Sequence, residues 1–201
     1  MTIIANNISN RVDSNSANVP YTSRTNMHKL NDEFMMGYID IDNDPITFSS
    51  SSAELNIENS STKKIIYAGL YWSATYLCKS SHMVKETEFI IDDPKRESFN
   101  EIKIKLPNQE NYLDIKGEVI FDGLNVKKFK ESAPYAVYAD ITKEVLKLKN
   151  PFGNYTVANI KATTGTISGG VAAGWTLFFI YEDTQMKGKF ITSFDGFAGV
   201  S

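Results

Sequence analysis

The sequence predicts an all-β fold, a β-sandwich of jelly-roll type with about ten strands and one short helix near residues 141–149. Apolar or alternating stretches recur at intervals of roughly 8–15 residues, and Gly, Pro, Asn or Asp separates them. Two stretches, residues 64–72 and 174–183, are apolar on both faces, as central strands of layered sheets are. A chain of 201 residues, of which 42% are hydrophobic, can enclose one packed core.

The chain changes character near residue 30. Residues 1–30 are rich in Asn, Ser and Thr, so we expect an extended or partly ordered N-terminal arm there. A single β-sandwich domain is expected over residues 31–201. Its first strands, with the serine run 49–52 as one of the separators, are predicted over residues 34–41, 53–57, 64–72, 84–91, 99–106 and 113–121.

One short helix is predicted after these strands. Asp140 or Thr142 offers a side-chain oxygen that can accept a free backbone N–H of the first turn. Val145 and Leu148 then form an apolar stripe that can face the core. The sequence Asn-Pro-Phe-Gly at residues 150–153 ends the helix.

The last part of the chain predicts a β-hairpin. A strand over residues 155–163 and a Gly/Ser-rich loop over residues 164–170 lead into the apolar strand 174–183. The chain is predicted to turn near Asp183 and to return as a second strand over residues 189–194.

The large aromatic residues divide into two groups. Trp72 and Trp175 lie inside apolar strands, so we expect core packing, together with Leu70 and Phe179, rather than a role as sugar-stacking platforms. Three tyrosines in loop-like settings are the better candidates for exposed contacts: Tyr21, Tyr76 and Tyr112.

Residues 197–201 have turn-then-strand character without a polar or charged ending. We therefore expect the sandwich to be completed beyond this segment. An uncovered strand edge recruits another strand, so we expect the remainder of the chain or another protein to pair with residues 189–201.

Composition and motifs favour a non-enzymatic protein. The net charge is −3 and the basic residues are scattered, which does not give the positive patch of a nucleic-acid-binding protein. Neither a transmembrane stretch nor a signal peptide is visible, and the single Cys78 has no internal disulfide partner. The chain has no P-loop and no Gly-x-Ser-x-Gly motif, and His28 and His82 lack zinc-ligand neighbours.

One motif carries metal chemistry. Asp40, Asp42 and Asp44 alternate in a tight turn, and alternate acids of this kind gather oxygen ligands around calcium. Pro45 stands where an EF-hand has glycine, and Ser51 stands in place of the bidentate Glu, so an EF-hand is excluded. Two interpretations remain open: a different calcium loop completed by Glu54 or backbone carbonyls, and an acidic turn without metal.

Five ordered blocks of sequence resemble one family. From Tyr38 onward the chain is similar to the N-terminal region of the giant gliding-motility adhesins on the surface of flavobacteria and other gliding Bacteroidetes. The blocks are YIDID at 38–42 with TFSSSSA at 47–53, IYAGLYWSA at 66–74, YADIT at 138–142, GNYTVAN at 153–159, and GWTLFFIYED with FDGF between 174 and 197.

This resemblance implies a setting rather than a site. It implies secretion by the type IX secretion system, display on the outer-membrane exterior, and a role in surface attachment and gliding motility. The implied partners are the secretion and gliding machinery. Surface polysaccharide is a further expected partner, which the carbohydrate-binding alternative suggests. The family supplies no catalytic or ligand-binding residue that can be transferred to this chain.

Two other classes of function stay open beside the non-enzymatic adhesin domain. One is a lectin-like or carbohydrate-processing jelly roll. The other is a structural cap on the end of a surface filament. A cap is expected to bind no sugar, whereas an enzyme is expected to release reducing sugar from a polysaccharide.

Overall fold

The computed structural model describes residues 1–12, 30–77 and 96–197. Over these ranges the chain forms eleven strands and one α-helix, joined by loops and single 3-10 turns. The elements are β1 Thr2–Asn7, β2 Ser9–Arg11, β3 Met36–Tyr38, β4 Ser50–Leu55, β5 Lys63–Thr75, β6 Glu101–Lys105, β7 Leu113–Lys116, β8 Glu118–Asp122, β9 Pro134–Asp140, α1 Thr142–Leu146, β10 Gly153–Ala158 and β11 Ala173–Asp183. The predicted all-β class is confirmed.

Two antiparallel sheets pack face to face. The large sheet has the strand order β1-β11-β5-β9-β8, and the small sheet has the order β4-β10-β6-β7. β2 and β3 form a separate short pair. β11 lies between β1 and β5, and β5 lies between β11 and β9, so the two stretches that are apolar on both faces are central strands, as predicted.

The core fills the space between the sheets. Trp72, Leu70, Trp175 and Phe179 are each at most 3% exposed, so their predicted core positions are confirmed. Phe179 of the large sheet meets Tyr155 of the small sheet with ring centroids 5.3 Å apart. Alternate residues of β5, β9 and β11 therefore supply one wall of the core.

Gly117 lets the chain cross from one sheet to the other. The sequence predicts one strand over residues 113–121, but this prediction is wrong, since β7 belongs to the small sheet and β8 to the large one. A Cβ atom at Gly117 would lie 2.4 Å from Trp72 Cη2 and 2.5 Å from Val137 Cγ1. Only glycine permits the backbone to pass so close to the core.

The N-terminal residues are part of the sandwich. Residues 2–7 form the edge strand β1, which pairs with β11 in a register that sets Ile4 opposite Leu177. The sequence predicts an arm over residues 1–30 that is separate from the domain. Residues 2–7 instead belong to the large sheet of the domain. An edge strand needs only one apolar face, and a short alternating pattern among Asn residues gives a weak signal.

The predicted returning strand over residues 189–194 is wrong. β11 ends in a turn, where the Met186 N–H donates to the Asp183 carbonyl at 3.1 Å, but residues 187–197 form no strand. Both edges of β11 already have partners, β1 and β5, so a hairpin strand has no free edge to pair with. The predicted strand 84–91 and residues 198–201 lie outside the described ranges.

The helix lies close to its predicted position. α1 covers Thr142–Leu146, and the Asp140 carboxylate accepts the Thr142 backbone N–H at 2.9 Å. The Thr142 hydroxyl accepts the Ala68 N–H at 3.0 Å, and Val145 is buried as predicted. Within the described ranges, no helix has the length and apolar character to cross a membrane.

Candidate functional site

The outer faces of the two sheets differ in chemistry. The small sheet presents charged residues to solvent, and these pair with each other: Lys103 with Asp114 at 2.6 Å and Lys116 with Glu101 at 3.0 Å. The large sheet presents aromatic and small side chains instead. A solvated sheet face does not require aromatic residues, so the outer face of the large sheet is the candidate for binding.

Strand register divides this outer face into a bulky half and a small half. Side chains on one face alternate along each strand, so the paired positions identify the neighbours. The bulky half comprises Ile3, Tyr67, Tyr71, Tyr138, Phe178 and Ile180. The small half lies toward the other end of these antiparallel strands and comprises Ala5, Ser73, Thr75, Ala136, Gly174 and Thr176.

The tyrosines of the bulky half form one contiguous aromatic ledge, which we define as Tyr67, Tyr71, Tyr138 and Phe178. The Tyr71 and Tyr138 rings are 4.9 Å apart between centroids, and Tyr67 and Phe178 are 6.2 Å apart in an edge-to-face arrangement. The Tyr67 and Tyr138 hydroxyls share a 2.7 Å hydrogen bond. Gly69 leaves room for these rings, because a Cβ there would lie 2.6 Å from the Tyr67 hydroxyl.

Partial burial raises the pKa of two of the ledge tyrosines. Burial, together with the neighbouring Tyr67 and Asp195, raises the pKa of Tyr71 to about 12. Burial and the hydrogen bond to Tyr67 raise the pKa of Tyr138 well above its ordinary value. The Tyr71 and Tyr138 hydroxyls are therefore uncharged at neutral pH, and a protonated hydroxyl can donate a hydrogen bond.

A segment near the C-terminal end of the described chain crosses this face. We call residues 195–197 the crossing segment. The Tyr71 hydroxyl donates to Asp195 Oδ2 at 3.3 Å, and the Phe197 ring stacks on Phe121 at 4.2 Å with the planes inclined by 5°. Phe197 also meets Phe129 edge-on at 5.6 Å. These contacts hold the segment at two points.

A groove of about 770 Å³ lies between the crossing segment and the sheet. The small half forms its floor, and Tyr71 and Phe197 contribute aromatic walls. Every described residue that lines it is uncharged, and hydroxyl or amide groups come from Asn7, Ser73 and Thr176. The carboxylate of Asp195, beside the groove, accepts the Tyr71 hydroxyl. This combination of aromatic rings and neutral polar groups can bind an uncharged polar ligand.

The carboxylates of the three aspartates in the acidic motif do not converge on one point. Asp42 accepts Lys105 Nζ at 3.0 Å and the Tyr112 hydroxyl at 2.7 Å through Oδ2. Its Oδ1 and the Oδ1 of Asp40 both meet the Ser50 hydroxyl, at 3.0 and 2.7 Å. Asp44 turns to its own loop, where it accepts the backbone N–H of residue 46. The loop thus packs over the outer face of the small sheet.

Lys105 supplies a positive charge where the sequence predicts calcium. Partial burial by itself would raise the pKa of the Asp42 carboxyl. Hydrogen bonds from Tyr112, Lys105 and Ser50 outweigh this effect and lower the pKa to about 2. Glu54, the suggested further ligand, is four residues beyond Ser50 on β4, or about 13 Å along the strand. Within the described ranges no three His, Cys, Asp or Glu side chains are grouped so as to hold a metal ion. Calcium at Asp40, Asp42 and Asp44 stays a prediction.

The other aromatic candidates have mixed outcomes. Tyr76 is fully buried, so its predicted exposure is wrong; its hydroxyl accepts the Glu97 N–H at 3.1 Å. Tyr112 is tied to Asp42, and Tyr21, His28, Cys78 and His82 lie outside the described ranges.

The ledge tyrosines were not singled out from the sequence. Their signal was present in β5, because a strand with Leu70 and Trp72 on one face carries Tyr67 and Tyr71 on the other. The core prediction for Leu70 and Trp72 implies that these tyrosines face outward, but the pattern of one strand does not show which side chains they meet there.

Comparison of the chain with models of known protein families, with curated proteins and with solved structures finds no match.

Proposed function

We propose that this chain is a non-enzymatic domain of a large cell-surface adhesin that acts in surface attachment and gliding motility, and that the outer-face groove is its adhesive surface. The observation that carries the proposal is the neutral, aromatic-walled groove on the large sheet. The sequence resemblance to gliding-motility adhesins supports the setting, with export by the type IX secretion system and display outside the outer membrane.

The physical support comes from the cost of an aromatic outer face. The core of the sandwich is complete without Tyr67, Tyr71, Tyr138 and Phe178, which point away from it. Water-facing aromatic clusters with a concave shape are typical of binding surfaces, since they gain free energy when a partner covers them. Tyr71 is the ledge residue that lines the groove, so the groove and the adjoining ledge are favoured over the charged face of the small sheet as the place of contact.

A groove-filling variant tests adhesion in purified protein. Ser73 is exposed on the groove floor, so Ser73→Trp should fill the groove without disturbing the core. Asn154→Trp is the matched control, because Asn154 is exposed on β10 of the small sheet. Beads coated with each variant would be washed over glass, protein-coated and polysaccharide-coated surfaces under flow.

We expect wild-type and Asn154→Trp beads to be retained on at least one surface, and Ser73→Trp beads to be released. Equal retention of the two variants would contradict the groove as the adhesive surface. No retention of any bead on any surface would favour the structural cap over the adhesin domain.

Location is tested separately from binding. An antibody raised against this chain should label intact, unpermeabilised cells of the producing bacterium, and the label should disappear when type IX secretion is blocked. Labelling only after permeabilisation would contradict cell-surface display.

The lining of the groove bears on the carbohydrate-processing alternative. A glycosidase uses two carboxylates on either side of the scissile bond. The described residues that line the groove include neither Asp nor Glu, and the carboxylate of Asp195 beside it is bonded to Tyr71. This chemistry supports binding rather than hydrolysis, and absence of reducing-sugar release from polysaccharides that the chain binds is the expected result.

A further inference from the structure

We propose that the outer-face groove binds a segment of neutral polysaccharide, whose pyranose rings stack on Tyr71 and Phe197 while their hydroxyls bond to the polar groups of the floor. This inference rests on the proposed adhesive function and names the ligand class of that same groove.

Charge is the first argument for this ligand. All the described residues that line the groove are neutral, and the Tyr71 hydroxyl on its wall stays protonated at physiological pH. An anionic polymer would find no cation in the lining and would meet the carboxylate of Asp195 beside Tyr71. A charged ligand would lose its hydration without gaining a partner, whereas a neutral one would not.

The shape of the groove is the second argument. Tyr71 stands at the step where the bulky half ends, and Phe197 is fixed in the crossing segment by Phe121 and Phe129. Between these rings, the floor has only small side chains, which leaves a channel. The volume of about 770 Å³ lies within the range of pockets that hold small ligands. A pyranose ring presents an apolar face to an aromatic ring and hydroxyls at its edge, which matches walls and floor.

The position of the groove on a sheet face is the third argument, because it disfavours an extended peptide. Peptides that bind sheets add as a strand at an edge, where unpaired backbone groups receive them. Most of the groove floor is built on β11, β5 and β9, whose backbone groups are already used in the ladders, and the edge strand β1 contributes only residues 5–7 at one side. The floor therefore offers side-chain groups and rings, which is what a sugar requires.

The test is calorimetric titration of the purified chain. The probes are linear neutral hexasaccharides of β-1,4-glucose, β-1,3-glucose, β-1,4-mannose and α-1,4-glucose. An oligogalacturonate of equal length and a neutral hexapeptide are titrated separately as the competitor ligand classes. We expect binding of at least one neutral hexasaccharide and of neither competitor. Tyr71→Ala should weaken it by about tenfold or more, since one ring stack is lost. Ser73→Trp should abolish binding, and Asn154→Trp should leave it unchanged.

The outcomes separate this inference from the adhesive function. Loss of bead retention in Ser73→Trp, together with no binding of any neutral hexasaccharide, would overturn the ligand class and leave the groove as the adhesive surface. Binding of a neutral hexasaccharide that Ser73→Trp does not weaken would overturn the site. Tighter binding of oligogalacturonate or of the hexapeptide, abolished by Ser73→Trp, would also overturn the proposed ligand.

Discussion

The Trp175 indole N–H donates to the Ser51 hydroxyl at 2.8 Å, within the buried core. Trp175 belongs to β11 of the large sheet and Ser51 to β4 of the small sheet, so the bond joins the two layers. A buried tryptophan requires a partner for its N–H, and a serine is small enough to supply one inside the core. The serine run, predicted as a separator between strands, contributes in this way to the packing of the sheets.

Removing either partner should destabilise the fold by different amounts. Trp175→Ala removes a ring that is 3% exposed and should lower the free energy of unfolding by about 3–5 kcal/mol. Ser51→Ala leaves the indole N–H without its acceptor and should cost about 1–3 kcal/mol. Urea titration measures both.

Ser52→Ala is the control for this pair, because Ser52 follows Ser51 on β4 and its side chain faces outward. Its change should stay within about 0.5 kcal/mol. If Ser51→Ala is as mild as Ser52→Ala, the bond between the sheets contributes nothing measurable to stability.

The crossing at Gly117 gives a second prediction. Gly117→Ala places a Cβ within 2.4 Å of Trp72 Cη2 and 2.7 Å of the Tyr138 carbonyl oxygen. The backbone and the core must both move, so we expect a loss of about 1–3 kcal/mol or more. Gly188→Ala is the control, since no atom lies within 4 Å of its new methyl group. Equal melting temperatures for the two variants would refute the close approach.

The Asp42 interactions predict a particular dependence on pH. Asp42→Asn removes the charge that Lys105 and Tyr112 bind, and should cost about 1–2 kcal/mol at pH 7 after allowance for partial exposure. The folded pKa of about 2 lies below the ordinary 3.8, so wild-type Asp42 contributes its stability above pH 3.8 and loses it as pH falls towards 2. The difference between wild type and variant in denaturant titrations should shrink across this interval. A difference that is constant from pH 7 to pH 2 would show that the charge is not involved.

Calcium binding at Asp40, Asp42 and Asp44 is tested by calorimetry after chelation. If the sequence prediction holds, calcium gives a binding heat and raises the melting temperature at millimolar concentration, and Asp42→Asn abolishes both effects. Without heat or stabilisation, the motif is an acidic turn whose charge Lys105 offsets.

The sequence predicted the centre of the sandwich better than its margins. Central strands such as β5 and β11 are long and strongly apolar, so Trp72 and Trp175 could be placed in the core from local pattern alone. The edge strand β1 and the sheet change at Gly117 depend on contacts between distant parts of the chain. The local pattern of the sequence does not contain that information. The prediction of a hairpin after Asp183 was wrong for the same reason, since it depended on whether β11 had a free edge.

Most of the candidate site could not be predicted from the sequence. Tyr71 and Ala136 are 65 residues apart in the sequence. Both line the groove because the register of the β5–β9 pairing brings them to the same face of the sheet. A one-residue shift of that pairing would turn these side chains to the other face. The sequence did indicate two apolar faces on β5, but the arrangement of bulky and small halves required the strand order.

The most direct test of the account is attachment of living cells. The cells that produce the protein would carry Ser73→Trp or Asn154→Trp in the native chain, and antibody labelling of intact cells would match the amounts displayed. The fraction of cells that remain on a surface under flow is then counted. The account predicts that Ser73→Trp cells detach as cells lacking the protein do, while Asn154→Trp cells stay attached as wild type. Wild-type attachment of equally displayed Ser73→Trp cells would contradict the claim that the groove is the adhesive surface.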